Sequence, residues 1–184
     1  MIENQELYLK IPTIEDEMAV MDFRAEFLKN KNTSPDSHIA GAGKLAETEN
    51  FSEWLEKAIL DLSPDTVPEG RVPSTQFLTF RKSDNKLVGM IQVRHNINIE
   101  HLLKFGGHIG DCIRPSERNK GYATKQIALA LEFCKTLNIE KVLLTCKDWN
   151  KASARTIEKN GGKFENQITD DNGTIFNRYW INIK

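Results

Sequence analysis

The sequence predicts an α/β (α+β) fold, and three observations carry that expectation. Residues 106 to 114, which Pro115 ends, the apolar stripe Ile127, Ala130, Leu131, Cys134 and Leu137, and the short apolar run 141 to 146 read as strand, long helix, strand. That series implies a right-handed crossover. Two β runs, 75–81 and 86–95, flank the polar tip Ser83-Asp84-Asn85 as a hairpin, and 163–168 with 174–183 form another around Asp170-Asp171-Asn172-Gly173, with its Asn-Gly turn signal.

The remaining elements follow in order. Leu7-Tyr8-Leu9-Lys10-Ile11 alternates as a first strand that Pro12 closes. Thr13 starts a helix, with Asp16 as its acidic partner three residues on, running to about Lys29 with Met18, Met21, Phe23, Ala25 and Phe27 on its apolar face. Residues 30 to 48 are polar and hold Pro35, Gly41 and Gly43, which predicts a mobile loop of a length that often serves as a lid. Residues 51 to 62 read as a second helix, capped by Ser52, with Trp54, Leu55, Ala58 and Ile59 inward. The proline-rich segment 63–73 separates this front from the strands, and 96–105 reads as a loop or short helix. Asn150 caps a last helix through Glu158, which Asn160-Gly161-Gly162 stops.

No composition shift or linker divides the 184 residues, so a single domain over 1–184 is expected. The net charge of −1 and the absence of a nucleic-acid-binding motif argue against a nucleic-acid partner. The charge is uneven: residues 1–60 carry 12 acidic and 6 basic side chains, residues 114–163 carry 11 basic and 5 acidic. The front can attract a cation and the back an anion. The three cysteines are unclustered, no signal-like start is present and no apolar run approaches a membrane span, so a cytoplasmic protein with reduced thiols is expected.

The chemistry concentrates in Arg118-Asn119-Lys120-Gly121-Tyr122-Ala123-Thr124, two cations and a glycine in a turn that opens the long helix. Glycine takes positive φ and leaves the main chain open, and the helix N-terminus supplies N–H groups and the positive end of its dipole, which together suit a phosphate. Neither G-x-G-x-x-G nor G-x-x-x-x-G-K-[ST] occurs. Arg118-x-x-Gly121-x-Ala123, within Arg114 to Ala123, resembles the pyrophosphate loop of the GNAT superfamily of acyl-CoA-dependent N-acyltransferases, and the resemblance extends over roughly residues 77 to 181.

That resemblance implies the GNAT fold: a mixed, mostly antiparallel central sheet of about seven strands, about four helices, and a fourth and fifth strand that splay apart to admit the pantetheine arm of acetyl-CoA. By position, Cys112, Ile113 and Arg114 pair with pantetheine through their main chain, and Asn119, Lys120, Gly121, Tyr122, Ala123 and Thr124 receive the pyrophosphate, with Arg118 and Lys120 adding charge. Asn150 matches the asparagine that hydrogen-bonds pantetheine, and Ser153 follows it as in acetyltransferases of N-terminal amines. The acceptor is then a primary amine of a small molecule or a peptide N-terminus, without metal, and a homodimer is compatible with the fold.

Amine acetylation needs a neutral amine and a proton for the leaving thiolate. Strand alternation puts Gly107, Ile109 and Asp111 on one face, and Asp111 is the carboxylate there. It is the leading candidate for a base acting through water; binding the substrate ammonium or a nearby arginine is the other role open to it. His95 and His108 are alternative bases, each also readable as a structural hydrogen bonder. The His95, His101 and His108 spacing fits no metal pattern. Many GNAT enzymes carry a tyrosine seven residues after the asparagine to protonate the thiolate. Ile157 stands there, which keeps open a competing reading, an acyl-CoA-binding or regulatory protein without turnover.

Overall fold

The structure, a computed structural model, describes residues 2–30, 39–48 and 50–183. In chain order it runs β1 (Ile2–Glu3), β2 (Leu7–Lys10), α1 (Glu17–Lys29), α2 (Phe51–Leu60), β3 (Ser74–Arg81), β4 (Lys86–Arg94), β5 (Ile109–Ile113), α3 (Tyr122–Thr136), β6 (Lys141–Lys147), α4 (Lys151–Lys159), β7 (Lys163–Thr169) and β8 (Ile175–Asn182). β1 to β5 pair antiparallel in sequence order, and β6, β8 and β7 form a second antiparallel group with β8 in the middle. The eight strands are one more than the sequence indicated. The addition is two-residue β1, too short to show alternation, which exists because it pairs with Tyr8 and Leu9.

The two faces of the first sheet bury separate cores. Val88, Ile91, Val93, Ile109 and Ile113 meet α3, whereas Leu78, Phe80, Leu87 and Met90 meet α1, α2 and the turn before α2. Alternation along the strands decides which helix each residue touches, and a register shift in the β3–β4 pairing between Thr79 and Phe80 swaps the faces on β4, so that Val88 joins Ile91 and Leu87 joins Met90.

β5 and β6 touch at one point and then separate. The His108 N–H donates to the Leu143 carbonyl at 2.8 Å, and the Leu143 N–H donates to His108 Nδ1 at 2.9 Å. Beyond Leu143 no ladder joins them among the described residues. Gly107 makes the approach possible: its φ is +62°, and a Cβ there would lie 2.5 Å from the Leu143 carbonyl oxygen. His108 ends the ladder by replacing a backbone acceptor with a ring nitrogen.

Several local expectations change. Asn50, not Ser52, caps α2, its side chain accepting the Glu53 N–H at 2.9 Å. Met18 and Ile59 are exposed rather than inward. Thr13 and Asp16 do form a capping box, but over a short 3-10 turn that precedes α1. Of the expected mobile loop, 31–38 lies outside the described residues. Residues 39–48 are instead packed, with Ile39, Ala42 and Leu45 buried in the second core. Gly41, at φ +66°, lies against β5 so closely that a Cβ would sit 2.1 Å from the Gly110 carbonyl oxygen. Gln76 Nε2 donates to its carbonyl at 2.8 Å. No helix of the described residues is long and apolar enough to cross a membrane.

The junction has a measurable pH signature. Burial, and secondarily the Arg94 charge, hold His108 down at about 4. Its contribution is complete above the unfolded value near ~6.5 and fades as pH falls toward 4, because the unfolded chain takes the proton first. We expect stability to urea to drop by on the order of 2 kcal/mol over that interval from this group, and the drop to shrink in His108→Asn, which keeps an acceptor but does not titrate.

Candidate functional site

The glycine turn is built by its neighbours as much as by its own sequence. Asn119 and Gly121 both take positive φ, +64° and +82°, and Gly121 is the N-cap of α3. No atom lies within 4 Å of where a Gly121 Cβ would be, so the backbone is open toward solvent. The first turn of α3 presents N–H groups that no helical carbonyl reaches.

Below this turn Glu117 is a charge hub. Its carboxylate is buried and meets Arg81, Lys86 and Lys120, each at 2.8 Å. Burial works to raise its pKa, but the bonds from Lys120, Lys86 and Arg81 outweigh it and hold it at about 2. Lys120 is thereby turned to Glu117. Arg118 faces the other way: its guanidinium lies 5.5 Å from the centre of the Phe27 ring, and its Nε donates to the Ile113 carbonyl at 3.4 Å. Arg114 is buried, donating to the Leu87 carbonyl and to Asp22 and Glu26 of α1 while lying against Phe23. Two acids of the acidic front are thus spent on holding α1 to the sheet.

A cleft of about 580 Å³ opens where β5 and β6 part. Of the residues singled out from sequence, it gathers Asp111, Cys112, Ile113, Arg118, Asn119, Gly121, Tyr122, Ala123, Thr124, Asn150 and Ser153. Arg114 and Lys120 are not in its lining, for the reasons just given. His95 and His108 are also elsewhere. His95 shares a 2.9 Å hydrogen bond with the Thr75 hydroxyl beside Phe133, and His108 Nδ1 already accepts the Leu143 N–H.

Asp111 is the carboxylate on the β5 wall. Burial pushes it up to about 6, which a hydrogen bond from Gln126 partly offsets, so it is mainly ionised at neutral pH yet retains useful basicity. Cys112, on the opposite face, is pushed above the ordinary thiol range by burial and then by Asp111. Burial also raises Cys134 to about 12 and Cys146 to about 11, which disfavours the thiolate a cysteine nucleophile needs. Ile157 is buried in the core, and the Tyr122 hydroxyl accepts from Arg81 at 3.0 Å. Among the described residues no group of three His, Cys, Asp or Glu could hold a metal ion.

Asn150 caps α4, its side-chain oxygen accepting the Ser153 N–H at 3.1 Å. The helix then lays Ala152, Arg155, Thr156 and Lys159 along the cleft, while Ala154 and Ile157 are buried. Asn160 Nδ2 donates to the Thr124 carbonyl at 3.2 Å, joining the end of α4 to the start of α3. Arg155 and Lys159 were not among the residues expected from sequence, although their helical spacing from Ala152 was legible. Trp149, half-exposed, and Phe27, Ile39 and Ala40 complete the wall. Their placement depends on α1 and the 39–48 turn, which no local motif announces.

Residues 7–163 match the acetyltransferase (GNAT) domain family. A curated relative, the uncharacterised N-acetyltransferase YnaD of Bacillus subtilis, is 28% identical over 144 residues, covering 70% of this chain and 84% of that protein. Among solved structures, the microcin C7 self-immunity acetyltransferase MccE, in complex with acetyl-CoA and AMP, superposes with a TM-score of 0.68 at 20% identity over 98% of this chain and 94% of the other. An acetyltransferase of Salmonella typhimurium that modifies the N-terminal serine of ribosomal protein L7/L12 superposes at 0.67, with 17% identity over 98% and 97%. At these identities the structural likenesses show the fold.

The Glu117 hub can be tested without any ligand. Because its folded pKa is lowered, its stabilisation is present above about 4.5 and is lost as pH falls toward 2. Glu117→Gln, which leaves Lys86 and Lys120 without their anion and Arg81 with Asp84 alone, is expected to lower stability at pH 7 by roughly 3 kcal/mol and to flatten the acid limb of the unfolding midpoint.

Proposed function

Because this chain belongs to the GNAT acetyltransferase family and is an acyltransferase, we propose that it moves an acetyl group from acetyl-CoA to a primary amine by direct attack in a ternary complex, within a single domain. The observation that carries the reading is the gathering, in one cleft, of the open glycine turn, the splayed edge of β5, Asn150 and Asp111. The amine belongs to a small molecule or a peptide N-terminus.

The residues fit acetyl-CoA chemically. The N–H groups from Asn119 to Thr124 and the Arg118 guanidinium suit a pyrophosphate, the β5 edge offers unpaired main-chain groups to an amide-bearing arm, and Arg155 and Lys159 add positive charge along α4. Glu117 takes up Lys120, so the turn holds its anion chiefly by backbone dipoles and Arg118.

Asp111 removes a proton from the attacking amine through water. The amine nitrogen bonds the thioester carbonyl carbon, the carbon–sulfur bond breaks, and the thiolate takes up a proton to give the thiol. An ordinary thiol with a pKa near ~8.5 leaves as thiolate at modest cost, so buried Ile157 in place of an acid is no obstacle.

Thiol release with acetyl-CoA and a panel of diamines, amino acids and peptides with free N-termini tests the whole reading; tight CoA binding without release on any amine would overturn it. Arg118→Ala and Arg155→Ala should each raise the acetyl-CoA KM by roughly fivefold to tenfold with little change in kcat, and an unchanged KM would contradict the binding assignments. Asp111→Asn should lower kcat by about a hundredfold while sparing the acetyl-CoA KM, and should abolish the acidic limb of the kcat profile near pH 6.

A further inference from the structure

Gln126 breaks the apolar pattern of α3. It is fully buried, lies between Tyr122 and Ala130 on the helix, and must find partners or destabilise the core. Its Nε2 faces three oxygens: the Met90 carbonyl at 3.3 Å, the Cys112 carbonyl at 3.5 Å and Asp111 Oδ2 at 3.5 Å. Carbonyls only accept, so the nitrogen end of the amide must be the one turned to them. The oxygen end accepts from the fully buried Thr79 hydroxyl at 2.5 Å. Room for this crossing comes from Gly89, where a Cβ would lie 2.3 Å from Gln126 Oε1. Residues of β3, β4 and α3 thus combine to thread one polar group through an apolar core, and the thread ends at Asp111.

We propose that Gln126 is a positioning residue for Asp111: with its amide fixed by Thr79, it donates to the carboxylate, keeps it ionised and aims it along the β5 wall of the cleft. The proposal rests on Asp111 being the base of the transfer reaction. Elsewhere around Asp111, β4 places Ile91 opposite it, α3 adds Tyr122, and its own strand adds Cys112 on the other face. The remaining charged groups of the cleft are Glu117, Arg118, Arg155 and Lys159. Of the groups around it, Gln126 is the donor to the carboxylate, and removing a donor to the charged form favours the protonated one. The acidic limb of kcat must then move to higher pH.

The test compares kcat against pH for the wild type, Gln126→Leu, the double variant Gln126→Leu/Thr79→Val, and Asp111→Asn with and without Gln126→Leu, together with a carbon NMR titration of the Asp111 carboxyl. The double variant removes the hydroxyl that Gln126→Leu strands, so it keeps the test available if the single variant fails to fold. Expected are an upward shift of about one pH unit in both the limb and the Asp111 titration, an acetyl-CoA KM within about twofold of wild type, and no acidic limb in Asp111→Asn with or without Gln126→Leu. A Gln126 that only fills space would alter the unfolding midpoint and leave both titrations in place, which overturns the proposal but not the role of Asp111. A limb that survives in Asp111→Asn removes the base, and the proposal with it.

Discussion

Everything at the site depends on β5 and β6 meeting at Leu143 and nowhere further along. A sheet strand normally spends all its edge groups on its neighbours, and an unpaired buried edge is costly. Here Gly107 permits the close approach, and the His108 ring caps the pairing by taking the Leu143 N–H that a strand carbonyl would otherwise receive. From that point β5 keeps a free edge, and the cleft is the space that edge lines. His108 is neutral chiefly because burial and the Arg94 charge disfavour its cation, and its Nδ1, which accepts a main-chain N–H, holds no proton of its own.

The second constraint is electrostatic. The stretch from Arg114 to Lys120 carries three cations, and the structure uses two of them to hold itself together. Arg114 is clamped by Asp22 and Glu26, Lys120 by Glu117, and Glu117 also gathers Arg81 and Lys86 from the hairpin. Glu26 additionally accepts the Ser116 N–H at 2.7 Å. What is left lining the cleft is the glycine turn, Arg118 and the cations of α4, fixed dipoles and charges of a kind that suits an anion.

How legible this was varies with the range of the interaction. The strand, glycine turn and helix were legible because the signals lie within a few residues: Pro115 stops the strand, Gly121 takes the left-handed turn, and the apolar stripe sets the helix. The α2 cap falls on Asn50 rather than Ser52, two residues on, since both are good caps and only the start of the helix at Phe51 separates them. The 39–48 segment looked mobile from its polarity and glycines. Gly41 is there for a different reason, which is to lie directly on the backbone of Gly110, a residue distant in sequence.

The sequence by itself determined the fold class, the family resemblance and the glycine turn that opens α3, because these are encoded in short-range patterns of hydrophobicity, glycine and charge. Only the tertiary structure decided which side chains face the cleft. Arg114 turns away to Asp22 and Glu26 of α1 and Lys120 to the buried Glu117, His108 becomes a strand terminator, and Arg155, Lys159 and Gln126 come into place from helices that carry no motif for the role. The physical reason is that a polar side chain goes where its charge or hydrogen bonds are satisfied, and those partners lie up to 92 positions away in the chain.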